Sequence, residues 1–308
     1  MHAASSPSPA PARQQAAPIG LLAGWGDYPL LLARHLRQGG RVVVGLGLRD
    51  HADPELACCC DYFYWIGIGS FGRAVRLFRR HGVREALLAG KLRKVEFFRP
   101  GVWWRHRPDG RFLLRFGPLL FSRSRDRKDD TLLGAVVEAF AREGVTIVPP
   151  TDLLPQLLAP PGLWTRRAPS PYEQQDILFG WELAREMGRL DVGQTVVVKG
   201  RATLCVEAIE GTDAAIARAG QLCPKGGFTV VKVAKPQQDM RFDVPTVGRH
   251  TVQGLIRAGA SCLAIEAGKT IFLDRQEVVQ LADRHRLAIV SLEHPQQVFG
   301  TLPRLRAA

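Results

Sequence analysis

Three carboxylates stand close together in VEAIEGTD (206–213), namely Glu207, Glu210 and Asp213, in a chain whose net charge is +13. Acids gathered beside a backbone turn are one way to hold a hard cation near phosphate, which makes Glu207 and Glu210 candidate metal ligands. A second charged run, KVAKPQQDMRFDVPTVG (232–248), supplies Lys232, Lys235, Asp239, Arg241 and Asp243, and IEAGKTIFLDR (265–275) adds Glu266 and Asp274. In a strand ending near Ile209, Glu207 shares a face with Ile209 while Glu210 enters the loop. If RFDV (241–244) is extended, Asp239, Arg241 and Asp243 project together as acid, base, acid. Magnesium takes one or two protein carboxylates and completes its shell with water and phosphate oxygens. Lysine and arginine beside it offset the charge that develops on a diphosphate. An internal salt-bridge network across two loops would use the same residues, and spacing alone leaves both readings open.

Other motifs fail. GWGDYP (24–29) places Gly-x-Gly between a strand and a helix, but Pro29 stands where the dinucleotide fingerprint needs its third glycine. What remains is a tight turn or a ligand-contacting loop at a helix N-terminus. AGKT (267–270) mimics the end of a P-loop, yet Leu263 occupies the position of the opening glycine. No His-Glu-x-x-His, Gly-x-Ser-x-Gly or C-x-x-C is present, so zinc hydrolases, serine esterases and zinc ribbons are not indicated.

The elements that must position these residues follow from hydropathy. IGLLAG (19–24), RVVVGLGL (41–48), DYFYWIG (61–67) and REALLAG (84–90) read as strands, with helices over 26–40 and 71–81 between them. That alternation predicts a parallel, Rossmann-like sheet covered by helices. A helix over 129–144 and a strand over 146–154 close this half. The proline-rich run 153–172 reads as a linker or crossing segment. A helix over 173–188, two strands joined at Lys199-Gly200-Arg201, and further strands near 228–234, 261–266, 270–273 and 287–292 make a second, mixed α/β domain. The expected organisation is therefore a disordered Ala/Pro/Ser tail over 1–18, an N-terminal domain over 19–152, the linker, and a C-terminal catalytic domain over 173–308.

No secretory signal and no membrane-spanning run is visible, and six cysteines without framework spacing suit a reducing cytoplasm. Residues 73–128 hold 17 Lys or Arg against four acids. Within them, KVEFFRPGVWWRHRPDGRFLLRFGPLLFSRSRDRK (94–128) interleaves aromatics with arginines. A solvated face, a membrane-surface patch and a nucleic-acid surface all fit that composition.

The runs LDVGQTVVV (190–198), VEAIEGTDAAIAR (206–218), KPQQDMRFDVPTVG (235–248) and IEAGKTIFLD (265–274) together resemble the signature of the UDP-2,3-diacylglucosamine pyrophosphatases of the lipid A pathway. This is the type unrelated to calcineurin-like phosphoesterases. The likeness continues in AGWGDYP (23–29), GIGSFG (67–72), LLAGKL (87–92), KDDTLL (128–133) and Asp176-Ile177. It implies two α/β domains with the substrate held between them. It also implies magnesium-dependent hydrolysis of UDP-2,3-diacylglucosamine to UMP and lipid X, the 2,3-diacylglucosamine 1-phosphate. Asp243, just before Val-Pro-Thr-Val-Gly, matches the family's catalytic aspartate, as a metal ligand with Glu207 and Glu210 or as the group that orients the attacking water, with Arg241 and Asp239 beside it. Substrate contacts are expected at Gly24, Trp25, Gly26, Gly90, Lys91 and Asp130 in the first half. In the second they are expected at Gln194, Gly211, Thr212, Asp213, Lys232, Lys235 and Thr246. Tyr28 stands where the family usually has leucine, and residues 93–128 are longer, more basic and more aromatic than its pattern, so no site role is carried into that stretch. The implied partners are an acylated UDP-sugar and the cytoplasmic face of the inner membrane rather than nucleic acid, and a homodimer is left open. The alternative is a non-catalytic peripheral membrane or nucleotide-sugar binding protein.

Overall fold

The computed structural model describes residues 17–91, 106–121, 129–242 and 244–300, with backbone alone for 118–121 and 129–132. Contacts divide the chain into two units, 1–154 and 155–308.

In unit 1 the chain runs through β1 (Ile19–Ala23), α1 (Tyr28–Gln38), β2 (Val43–Leu48), α2 (Leu56–Cys59), β3 (Tyr62–Ile66), α3 (Phe71–Arg80) and β4 (Glu85–Ala89). It continues through α4 (Gly110–Phe121), α5 (Asp129–Arg142), β5 (Thr146–Ile147) and α6 (Pro150–Leu153). Every strand pair is parallel and the order is β3-β2-β1-β4-β5, a doubly wound sheet with a change of winding direction between β1 and β4. Gly20 lets α3 approach closely, since a Cβ there would stand 2.7 Å from the Phe78 ring. The strand expected over 146–154 ends at Ile147. Pro149 and Pro150 lack the N–H that a ladder needs, and Pro150 instead begins α6.

Unit 2 contains β6 (Gly162–Leu163), α7 (Pro171–Arg189), β7 (Thr195–Lys199), β8 (Ala202–Val206), α8 (Thr212–Leu222), β9 (Phe228–Lys232) and β10 (Thr246–Val247). It closes with α9 (Arg249–Ala258), β11 (Ala260–Glu266), β12 (Ile271–Phe272), α10 (Arg275–Arg284), β13 (Ala288–Leu292) and α11 (Pro295–Phe299). Its main sheet is mixed, in the order β6-β13-β11-β9-β7-β8. Alternation along the strands sorts the core. Val197, Val230, Leu263 and Ile289 meet Ile216, Leu255 and Val278 on one face. On the other, Val196, Val198, Val231 and Ala264 meet Ile177 and Trp181 of α7. The proline-rich run expected as a linker supplies the edge strand β6, antiparallel to β13, and Trp164 Nε1 donates to Ser291 Oγ at 2.8 Å.

Two local devices hold this sheet in register. α7 begins in a capping box of Ser170 and Glu173, with Pro171 at its first turn. The β7–β8 hairpin turns through Gly200 and Arg201, both at φ 60°, and the Asp176 carboxylate of α7 accepts their backbone N–H groups at 3.1 and 2.6 Å. Burial raises the Asp176 pKa against the pull of those two amides.

Candidate active site

The mixed sheet explains how distant stretches meet. β9 and β11 run parallel, so Lys232 and Glu266 end them on one edge. β7 runs against β9, which sets its first residue, Thr195, opposite Lys232. β8 returns beside β7 with Val206 opposite Val196, so Glu207 emerges on that same edge and its N–H donates to Thr195 O at 2.8 Å.

A buried polar relay results. Lys232 Nζ donates to Thr212 Oγ1 at 2.8 Å, and Thr212 Oγ1 donates to Glu207 Oε1 at 2.8 Å. The ammonium only donates and the carboxylate only accepts, so the hydroxyl between them is fixed in its direction. Lys232 and Glu207 are 6% and 8% exposed, so neither charge is diluted by water. Thr212 opens α8 behind Gly211, whose φ of 83° suits a residue without a Cβ. Against this edge packs Gly193, where a Cβ would fall 2.1 Å from the Glu207 carbonyl oxygen.

The other predicted residues of unit 2 are placed as follows. Gln194 is in the same edge, its carbonyl accepting from Val233 N at 3.0 Å. Lys235 Nζ bonds Asp191 Oδ1 at 2.7 Å. Asp239 and Arg241 form a fork, with Arg241 Nε on Asp239 Oδ1 at 2.9 Å and Nη2 on Oδ2 at 2.5 Å. Hydrogen bonding from that guanidinium holds the Asp239 carboxyl below the usual range. Residues 240–242 are a turn, with Phe242 N donating to Asp239 O, so the extended RFDV expectation gives way to a turn that folds Arg241 back on Asp239. Asp243 lies outside the described residues. Thr246 in β10 donates to Val244 O at 3.1 Å. Glu210 pairs with Arg218, which also donates to Val206 O at 2.8 Å, so it faces α8 rather than the relay. Asp213 is exposed, 3.8 Å from His250. Glu266 braces the edge: its Oε2 accepts from Ala234 N at 2.9 Å, and Oε1 meets Lys269 at 2.9 Å.

In unit 1, an isolated antiparallel bridge joins Trp25 to Lys91 beyond the ends of β1 and β4. It gathers Gly24, Trp25, Gly26, Gly90 and Lys91, with Gly26 and Gly90 at φ 113° and 87°. Asp130 stands in the first turn of α5.

Among the described residues no three His, Cys, Asp or Glu gather as a metal cage. Glu207 Oε2 and Gln194 Oε1 are nevertheless buried without a hydrogen-bond partner among those residues. An orphaned carboxylate oxygen is costly to bury, and hard oxygen donors of this kind fit magnesium, which asks for few protein ligands.

Two family models match, described as the LpxI N-terminal domain over residues 18–157 and the LpxI C-terminal domain over 160–290. A curated relative from Caulobacter vibrioides, called UDP-2,3-diacylglucosamine pyrophosphatase LpxI, is 33% identical over 288 residues, spanning 91% of this chain and 98% of its own. The chain belongs to the LpxI family. Among solved structures, a UDP-glucose-4-epimerase from Stenotrophomonas maltophila overlaps 42% of this chain and 35% of its own at 17% identity and a TM-score of 0.27, too low to bear on the fold or the chemistry. The LpxI N-terminal and C-terminal matches fall on the doubly wound sheet and the mixed sheet respectively. Two residues of this LpxI chain owe their place to architecture: Asp176 pins the hairpin that carries β8 to the edge, and Glu266 ties β11 to residue 234.

Proposed function

We propose that this protein hydrolyses the diphosphate bond of UDP-2,3-diacylglucosamine, releasing UMP and lipid X, with magnesium as cofactor and at the cytoplasmic face of the inner membrane. The observation that carries this reading is the buried Lys232–Thr212–Glu207 relay on the carboxyl edge of the unit 2 sheet, in a chain of the LpxI family. Lys232 offers fixed positive charge to phosphate oxygens from a site shielded from water, where it acts more strongly than in solution. Thr212 keeps that ammonium and Glu207 from drifting. Glu207 Oε2 and Asp243 would hold the magnesium, which supplies Lewis-acid neutralisation of the diphosphate. Arg241, oriented by the Asp239 fork, and Lys235, anchored on Asp191, are assigned to the charge that builds on the departing UMP. Asp243 orients the attacking water. The water oxygen bonds to the phosphorus nearer the sugar, the bond from that phosphorus to the bridging oxygen breaks, and UMP leaves with the bridging oxygen.

Purified protein incubated with UDP-2,3-diacylglucosamine and magnesium releases UMP, and chelation stops it. With water labelled in oxygen-18, the label enters lipid X and not UMP. Asp243→Ala lowers kcat/KM by more than about a thousandfold. No UMP release, or release indifferent to that substitution, refutes the proposal.

A further inference from the structure

Arg73, Arg76 and Arg80 follow one another at spacings of three and four along α3, so they share one face of that helix, and all three are exposed. α4 packs beside it. The Phe71 and Phe116 rings meet edge to face at 5.5 Å, and a Cβ on Gly72 would stand 3.0 Å from the Arg111 side chain. Arg111 and Arg115 of α4 are exposed beside α3, and Arg107 is exposed just before α4. Together α3 and residues 106–121 hold seven arginines and one acid, Asp109. The rest of the basic, aromatic run, 94–105 and 122–128, lies outside the described residues.

The acids within reach do not balance this charge. Asp109 is engaged with backbone: Oδ1 accepts from Phe112 N at 2.8 Å and Oδ2 from Arg73 N at 3.1 Å. Glu143, just after α5, is shared by three guanidinium groups, those of Arg79 at 2.9 Å, Arg111 at 3.2 Å and Arg115 at 3.8 Å. Among the described residues no ion pair involves Arg73, Arg76 or Arg80. Like charges gathered on one face repel, and an anionic partner relieves that repulsion.

Hydrocarbon on the same face selects the partner. Phe112 and Phe116 set the inward side of α4, their rings 4.9 Å apart. Leu114, two residues from each, stands on the opposite side between Arg111 and Arg115, and is 76% exposed. Leu113 beside it is exposed as well. Aromatic rings among the described residues of α3 and α4 are buried or half-buried, so none is offered to stack on a base. Exposed leucine gains nothing against a phosphodiester backbone, but at a bilayer it enters the boundary between headgroups and acyl chains while arginine forks engage lipid phosphates.

We propose that the α3–α4 face of unit 1 is a docking surface for an anionic phospholipid bilayer. The inference rests on the reading of this protein as acting at a membrane, and it adds which face meets the lipid.

The test is co-sedimentation of the full chain with vesicles of phosphatidylethanolamine and phosphatidylglycerol, compared with vesicles of phosphatidylcholine alone. Binding to the anionic vesicles that weakens with added salt supports the proposal. Each arginine near an anionic surface is worth about fivefold, so Arg76→Gln with Arg80→Gln should weaken binding by at least about tenfold. Leu114→Ser should weaken it about tenfold by removing the inserted side chain. Equal binding to both vesicle types, or affinity unchanged in variants with wild-type circular dichroism, overturns the proposal. A short duplex or single-stranded RNA that binds this face and displaces the vesicles overturns it too. Vesicle binding without any UMP release would sink the hydrolase reading and leave the docking face standing. UMP release from detergent-dispersed substrate without vesicle binding would do the reverse.

Discussion

The strands β1 to β4 of unit 1 end at Ala23, Leu48, Ile66 and Ala89, around a crevice whose described walls carry hydrocarbon. In unit 2, β9 and β11 end in Lys232 and Glu266 and Glu207 follows β8, each buried and each tied to a named partner. Both edges lie where α/β sheets present ligands, because backbone direction and not side-chain chemistry decides where the loops open. Side chains then decide what can enter. In unit 1 the loop amides close on one another across the Trp25–Lys91 bridge and leave an apolar hollow. In unit 2 the antiparallel β7–β8 hairpin carries residues from another part of the chain to the carboxyl edge, so opposite charges meet with a hydroxyl between them.

The contrast can be broken at its charged end first. Glu207→Ala removes the buried orphan oxygen and the acceptor of Thr212, and is expected to weaken the apparent magnesium affinity of hydrolysis by about 10–100-fold. A titration of rate against magnesium that superimposes on wild type would remove Glu207 from the proposed metal site. A smaller effect tests the apolar end by comparing neighbours on β1. Leu21→Ala should cost about 2–5 kcal/mol in denaturant unfolding, whereas Leu22→Ala, half-buried over the crevice, should cost roughly 1 kcal/mol. Equal losses would mean that Leu22 is ordinary core.

The smallest effect concerns charge buried away from either crevice. Burial by itself would raise the Glu173 pKa, but hydrogen bonds from Arg167, Ser261 and the Ser170 amide outweigh it and leave the carboxyl below its ordinary value. A carboxyl depressed on folding contributes stability above its unfolded pKa of about 4.3, and that contribution is lost as pH falls through the folded value. The stability gap between wild type and Glu173→Gln should therefore be full near neutrality and narrow below about pH 4. A gap independent of pH would show that Glu173 acts by shape alone.

Much of the fold was legible in the residues. Strand–helix alternation announced the parallel sheet, and Lys199-Gly200-Arg201 announced the hairpin, because short-range periodicity and turn chemistry need few neighbours. Local reading went astray where proline or tertiary contact overrode the pattern. The run after Ile147 carries strand-like residues but two prolines, and nothing in the composition of 153–172, read as a linker or crossing segment, announces the two residues that pair with β13. The turn at 240–242 depends on Arg241 closing on Asp239, an interaction that hydropathy does not register.

For the site, the amino acids by themselves determined the supply: which acids and bases exist, that they concentrate in a few runs of the second half, and that the dinucleotide fingerprint is broken at Pro29. Only the tertiary structure decided which of them meet. Thr212, whose hydroxyl also lies 3.5 Å from Thr195 Oγ1, unites Lys232 with Glu207, while Glu210, three residues on from Glu207, turns away to Arg218. Nor could Leu22 and Val136 be told from any other core residue before the packing of the helices on β1 left Leu22 only half-buried. The reason is physical: composition and period act between neighbours in the chain, whereas strand direction and register decide which side chains share an edge.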